Sequence, residues 1–486
     1  MKLSNQLVDV DVWNVSLPEN AQEIGAHYFL NVTREPAHSN YFGEDFIVAH
    51  VGSLFIYPDT DGIIDIRFKF ELPSGWLVAA QWDEQNGYFA TKNVEYIKRG
   101  FVAIGRYEIS EFQIGNVTLV VAVHPRTAAK DLVDYSKRCF SHLMSFLKYP
   151  FADTKRFLAI FAPPPSMCGT ADFCGPSCTV DSMTELMELW VLPHEMFHVL
   201  DGISGGSLEE GVTQYYGYKS SLLSGMWDHD RFYRWLTVYG ADGLQYYYTE
   251  IWGSQYNLPI VSHELDRMLE STSDWHYTFV RARKMAIVAY MLNKEIEKVT
   301  NGSKSLDDVI SYLNAKYLDP THSVKPEEYL QTVNLVAGYN FTDFFRKYIY
   351  GSDWLPPVAL RDWFDWYINT TETLLSKVSQ PNKESLSKLN EIESECDKII
   401  NLIYEGRYQE AFGEIEGVIQ DFKYLLKSIM APTTTTATST PSAQSDWLRT
   451  SWPYAAAIVA VIVVAVAAIL IARKPQRRVK KVNEAT

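Results

Sequence analysis

"LPHEMFHVLDGISGGSLEEGVTQYY", Leu192–Tyr216, sets two histidines on either side of a Glu-Met-Phe and follows them, about one helix later, with Glu-Glu-Gly. Four residues apart on a helix, His194 and His198 are separated by about 6 Å of rise and about 40° of rotation, so both imidazoles reach one ion. Two nitrogens do not complete a catalytic zinc site, which takes three protein ligands and keeps a further position for water. Glu195, next to the first histidine, is placed to take a proton from that water. A glycine at 201 and a third histidine at 204 would complete one known pattern, but the chain has Asp201 and Ser204,. The third ligand is therefore sought in "SLEEGVTQYY", where Glu209 and Glu210 stand side by side. The bland account of the same residues is a capping box, with Ser207 as N-cap and Glu210 reaching back to its amide. Gly211 argues for more, because a glycine inside a first turn is unfavourable by about 1 kcal/mol relative to Ala, and a close approach to the motif helix would explain it. Pro193 either starts that helix or kinks a longer one running through "MTELMELWVL".

Outward from this stretch, 486 residues are enough for two or three domains, and 14% aromatic with 21% charged residues describes a mostly folded chain,. Residues 1–125 carry short Val/Ile/Phe/Tyr runs between Pro, Gly and Asp-Gly turns, which predicts a β domain. Residues 126–230 mix a helical stretch, the strand "RFLAIFAPPP" and the opening motif, and 231–378 have helical spacing nearly throughout. The fold class read here is multidomain α+β. Residues 379–430 predict a helical hairpin stalk broken near Gly406, and the Thr/Ser/Pro-rich residues 431–452 a linker holding the body off whatever the chain is attached to.

"PYAAAIVAVIVVAVAAILIA", Pro453–Ala472, has no charge over 20 residues and at about 1.5 Å per residue spans about 30 Å, one hydrocarbon core,. The basic tail after it, 473–486, marks the cytoplasmic side, so the expectation is a single-pass membrane protein with an extracellular ectodomain. The chain carries −15, and without that tail, net +5, the remainder carries −20, which excludes nucleic acid as a partner,. Sequons at Asn14, Asn31, Asn116, Asn301, Asn340 and Asn369 fit an exported surface,. The start, "MKLSNQLVDVDVWNV", has no apolar h-region, and the expectation is of a trimmed or mis-assigned start. Cys168, Cys174 and Cys178 lie within eleven residues, which leaves a local disulfide and free buried thiols both open; Cys139 and Cys396 complete the set,.

"HEMFH" followed by "EEGVTQYYG" resembles the gluzincin metallopeptidases, and "FELPSGW", "EKVTNGSKSLDDV" and "AGYNFTDFFRKYIYG" are similar to segments of the glycyl aminopeptidase family, covering about residues 30–355. The resemblance implies an N-terminal β domain, a thermolysin-like zinc peptidase domain and a helical C-terminal domain, here without the PDZ domain that family members often carry. It makes His194, His198 and Glu210 the Zn2+ ligands and Glu195 the general base. "GTADF" takes the place of the family's substrate-binding stretch, putting Gly169 on the substrate and Asp172 on its free amine. The family's oxyanion-binding tyrosine falls on Ala282, with Lys284 retained, and Tyr277 is the nearest substitute. The implied function is a membrane-anchored aminopeptidase acting on extracellular peptides; the alternative is a degenerate peptidase fold serving as a surface binding or adhesion module.

Overall fold

The computed structural model describes residues 5–9, 12–15, 40–54, 65–92, 100–127, 131–151, 154–162, 169–171, 177–181, 190–201, 207–239, 243–317, 323–378 and 383–430. Residues Met1–Ile429 form one compact unit; of a second, Met430–Thr486, only Met430 is among the described residues. Both the linker and the expected membrane span Pro453–Ala472 therefore lie outside them. Among the described residues no helix is long and apolar enough to cross a membrane.

The molecule is organised around a five-stranded mixed sheet, in the order Glu108–Ile114, Val117–Val123, Arg156–Ala162, Ser177–Asp181, Gly169–Ala171. The first pair is antiparallel, the next two pairs are parallel, and Gly169–Ala171 runs antiparallel along one edge, with Gly169 opposite Val180. The strand "VTLVVAV" is buried on both faces, which is why it reads as a continuous apolar run,. Leu119 and Val121 point to the helices with Phe157, Ala159 and Phe161, while Val120 and Ala122 point the other way with Leu158 and Ile160. That second face packs on an antiparallel sheet of Asn40–Phe42, Phe46–His50, Phe101–Gly105 and Leu77–Ala79.

The boundary expected at residue 125 falls between two strands of this one sheet. Strands Glu108–Ile114 and Val117–Val123 share a sheet with Arg156–Ala162, so the β region runs straight into the part that carries the motif helix. A strand's own residues do not say which sheet it joins, and the turn signals around it look the same in both cases.

Helix α1 (Leu132–Leu143), α2 (Val191–Leu200) and α3 (Ser207–Leu223) cover the other face, followed by α4 (His229–Thr237), α5 (Met285–Val299) and α6 (Val358–Lys377). The hairpin read as a stalk is α7 (Lys383–Tyr404) and α8 (Tyr408–Met430), turning at Gly406 with φ +77°. It is packed on the body. Tyr367 of α6 stacks on Phe422 at 5.0 Å, Tyr248 stacks on Tyr408 at 4.8 Å, and Lys423 and Glu416 pair with Asp230 and Arg234 of α4. One apolar core runs from Val117 to Leu425. Cys139, Cys178 and Cys396 are free and buried, so of the two readings Cys178 takes the free thiol; Cys168 and Cys174 lie outside the described residues. The side chains of Asn116, Asn301, Asn340 and Asn369 are exposed, as glycosylation would require.

Candidate metal centre

α2 starts at Val191, so Pro193 sits in its first turn, where no intrahelical partner for its missing N–H is needed,. The helix is wholly buried, against the edge strand Gly169–Ala171 and its neighbour on one side and α3 on the other. Its C-terminal end is held by Asn314, whose amide donates to the carbonyls of Leu200 and Asp201 at 2.9 and 3.2 Å. On the α3 side Phe197 stacks on Tyr216 with ring centroids 4.4 Å apart.

The seam between α2 and α3 exists because of a glycine, though not the one expected. A Cβ on Gly217 would lie 3.0 Å from the Trp190 carbonyl oxygen and 3.1 Å from His194 Cβ, so Gly217 sets the approach of α3 to the motif helix. Gly211 is also at a close approach, but to Met285 and the carbonyl of Ala282 on the other side of α3. The reading of Gly211 named the right constraint and the wrong neighbour.

Across the first seam the Nε2 atoms of His194 and His198 face each other at 3.0 Å. Glu210 brings Oε1 to 3.6 Å from His194 Nε2 and Oε2 to 3.5 Å from His198 Nε2. One ligand atom from each of the three residues lies within 4.8 Å of the others. Glu209 points elsewhere. Its carboxylate accepts a hydrogen bond from His198 Nδ1–H and another from Thr213 Oγ1 at 3.4 Å. A carboxylate on Nδ1 fixes the tautomer and leaves the Nε2 lone pair aimed into the cluster. Two imidazole nitrogens and a carboxylate converging in this way need a positive charge among them, a proton on Nε2 of His198 or a metal ion in its place, and an N, N, O donor set suits zinc.

The charges agree. Burial, then the neighbouring His198 and Arg283, hold His194 well below the usual imidazole range, so it is a neutral ligand. Burial opposes charge on His198 too, but Glu209, Glu210 and Glu195 outweigh it and push its pKa up to about 10. A bound metal must therefore displace a proton there. Glu195, buried beside His194 on α2, belongs to the same electrostatic group.

The remaining expected residues divide. Gly169 begins the edge strand that packs on α2, whereas Asp172 lies outside the described residues. Ala282 is buried in a π-helical turn, Val280–Lys284, that runs against α3, its carbonyl oxygen 3.1 Å from where a Cβ on Gly211 would lie. Tyr277 is buried one turn earlier, its ring edge-on to Tyr256 at 5.3 Å. Arg283, which the sequence reading passed over, puts its guanidinium over the Trp190 ring at 5.1 Å and donates to Gln214, one turn beyond Glu210 on α3. Trp190 in turn sits edge-on to His194 at 5.5 Å. An arginine in a helical stretch carries no sign in sequence that it faces inward.

No family model matches the chain, and no curated protein matches it. Solved structures do. An aminopeptidase N family protein from Idiomarina loihiensis is similar at 14% identity with a TM-score of 0.56, covering 74% of this chain and 68% of that one. An M1 zinc metallopeptidase from Deinococcus radiodurans is 14% identical, covering 67% and 73% with a TM-score of 0.44. Yeast LTA4 hydrolase in complex with bestatin is 13% identical, covering 67% of this chain and 55% of its own, with a TM-score of 0.41. The chain thus has a fold similar to that of a solved aminopeptidase N family protein, and it carries a donor set of two buried histidines and one half-buried glutamate.

Proposed function

We propose that this chain is a zinc-dependent aminopeptidase, held at a membrane by Pro453–Ala472 and acting on peptides outside the cell. The observation that carries the catalytic part is the convergence of His194, His198 and Glu210 on one point, with Glu195 on the same buried helix. Zinc bound there would supply Lewis acidity and lower the pKa of a coordinated water to about 7. Glu195 is the chain's base for that water and, once protonated, the acid that returns the proton to the leaving amine. The strand Gly169–Ala171 supports the peptide reading, because it is the last strand of its sheet among the described residues and an extended substrate can add to a sheet edge by main-chain hydrogen bonds,. In this reading Asp172 receives the substrate's amine and Tyr277 is the candidate donor to the oxyanion.

One residue favours a second reading, a zinc-holding surface module without turnover. Ala282 offers no donor where the resembled family has its tyrosine, and losing one oxyanion donor costs about 10² to 10³ in turnover. The experiment is zinc analysis of the purified chain together with a peptide-library cleavage screen, on wild type and Glu195→Gln. Zinc in both with cleavage only in wild type supports the peptidase. Zinc in both with cleavage in neither supports the module, and a chain that holds no zinc overturns both.

A further inference from the structure

The α7–α8 hairpin is electrically polarised along its length. At the end from which the chain continues to residue 431, Lys383–Lys388 and Asp421–Lys427 hold four lysines against two acids, and Lys377 ends α6 shortly before; the rest of the hairpin, residues 389–420, holds two basic residues against eight acidic ones. The register places these segments together, because Lys388 pairs with Asp421 at 2.7 Å and Lys398 with Glu414 at 2.8 Å. Leu386 is therefore level with Tyr424. Both are exposed, Tyr424 at 74% and Leu386 at 43%, and Val378 adds a third exposed apolar side chain at the end of α6. Lys377, Lys383 and Lys427 are exposed as well.

Ordinary helix chemistry explains only part of this. Lys377 and Lys427 lie in the last turns of α6 and α8, where the helix dipole favours a cation, but Lys383 opens α7, where the dipole disfavours one,. Lys423 is engaged with Asp230 and Lys388 with Asp421, so the outward charge rests on Lys377, Lys383 and Lys427. An exposed tyrosine and leucine ringed by lysines, on a protein of net charge −15, have the composition of an interfacial anchor on an anionic bilayer,. The sequence beyond the described residues points to the same neighbour: 22 residues, 431–452, separate α8 from the 20-residue apolar run Pro453–Ala472.

We propose that this end of the hairpin, Lys383–Lys388 with Asp421–Lys427, together with Lys377 and Val378, rests on the headgroups of an anionic lipid bilayer and orients the body on the membrane. The inference takes from the membrane-anchored reading only the identity of the neighbour and is independent of catalysis. Each lysine at such a surface strengthens attachment roughly fivefold, so the triple variant Lys377→Gln/Lys383→Gln/Lys427→Gln should weaken it roughly a hundredfold. The full chain is placed in nanodiscs of phosphatidylcholine, with or without phosphatidylglycerol, and read by hydrogen exchange. Protection of 377–378, 383–388 and 421–427 is expected only with phosphatidylglycerol, is lost at high salt and in the triple variant, and leaves 389–420 unchanged. Equal exchange in both discs overturns the proposal, as does protection that follows protein concentration rather than lipid, which would assign the face to a second copy. If the chain does not enter discs, the anchor reading fails by itself. Sedimentation of the full chain with phosphatidylglycerol vesicles then decides the surface, binding that the triple variant weakens supporting it and no binding overturning it.

Discussion

Glu209 and Glu210 are neighbours in sequence with different duties in space. Successive helical side chains diverge by about 100°, so one carboxylate reaches the two Nε2 atoms while the other reaches Nδ1 of His198 from behind,. Glu210→Gln is expected to abolish stoichiometric zinc binding. Glu209→Gln keeps the ligands and loses the charge that orients one, so zinc affinity should fall about 10- to 100-fold in chelator competition. The sequence offered both glutamates to the metal and named Glu210 only through resemblance; what separates them is the rotation of α3 about its axis, which local spacing does not set. Lys284 shows the same limit. It is fully buried, donating to the carbonyl of Leu258 at 2.8 Å and to Asn257 at 3.2 Å, and burial lowers its pKa to about 7. The unfolded chain binds this proton up to about pH 10 and the folded chain gives it up near 7, so stability rises with pH between those values. His198, raised to about 10, works in the opposite sense in the metal-free chain, so the Lys284 contribution is read on zinc-loaded protein as the difference from Lys284→Met, which should grow by about 2 kcal/mol between pH 7 and 9 in denaturation,.

At the scale of elements, α3 is a helix wedged between two others, and its glycines record how closely. Its seam with α2 is made by Gly217 and its seam with the π-helical turn and α5 by Gly211. Alanine would raise intrinsic helix propensity at both by about 1 kcal/mol, so any loss measures packing. At Gly211 the new Cβ would meet Met285 Cβ, and overpacking of that kind is expected to cost a net 1–3 kcal/mol in urea denaturation,. Gly217→Ala pushes on the Trp190 carbonyl and on His194 itself, so zinc affinity should suffer along with stability. Gly413 in α8 is the control: nothing lies within 4 Å of its Cβ position, and alanine there should stabilise by about 0.5–1 kcal/mol,. The helices themselves were legible, including the break at Gly406, because apolar spacing and a glycine stop are local signals,. Which helix each glycine faces is a tertiary fact, and sequence alone assigned Gly211 to the wrong one.

Across the whole molecule, compositional change suggested separate parts where the structure has one core. The charge density of α7 and α8 read as a free-standing hairpin, yet Ile399, Ile403, Ile415 and Phe422 are buried in the same core as the motif helix. An apolar stripe at helical spacing looks alike whether it faces a second helix or an entire body. The join is centred on Asp230 of α4. It pairs with Lys423 of α8 at 2.9 Å and with Arg234 at 3.2 Å, and accepts from Tyr367 at 2.9 Å and Trp363 at 3.2 Å, both on α6. Burial alone would raise its pKa, but the bonds from Lys423 and Tyr367 and the charge of Arg234 outweigh that and hold it below the usual carboxylate range. A depressed carboxylate contributes stability above its unfolded pKa and loses it as pH falls through the folded one. Asp230→Ala is therefore expected to destabilise the chain by about 2–3 kcal/mol at pH 7, with the difference from wild type shrinking once the pH drops below about 4. Because α4 also packs on α3, the hairpin should not melt by itself: calorimetry of the zinc-loaded variant should show one transition, shifted down, with zinc release coincident with it. A separate early transition would mean that the core is not shared and that the hairpin is the independent stalk its composition suggests.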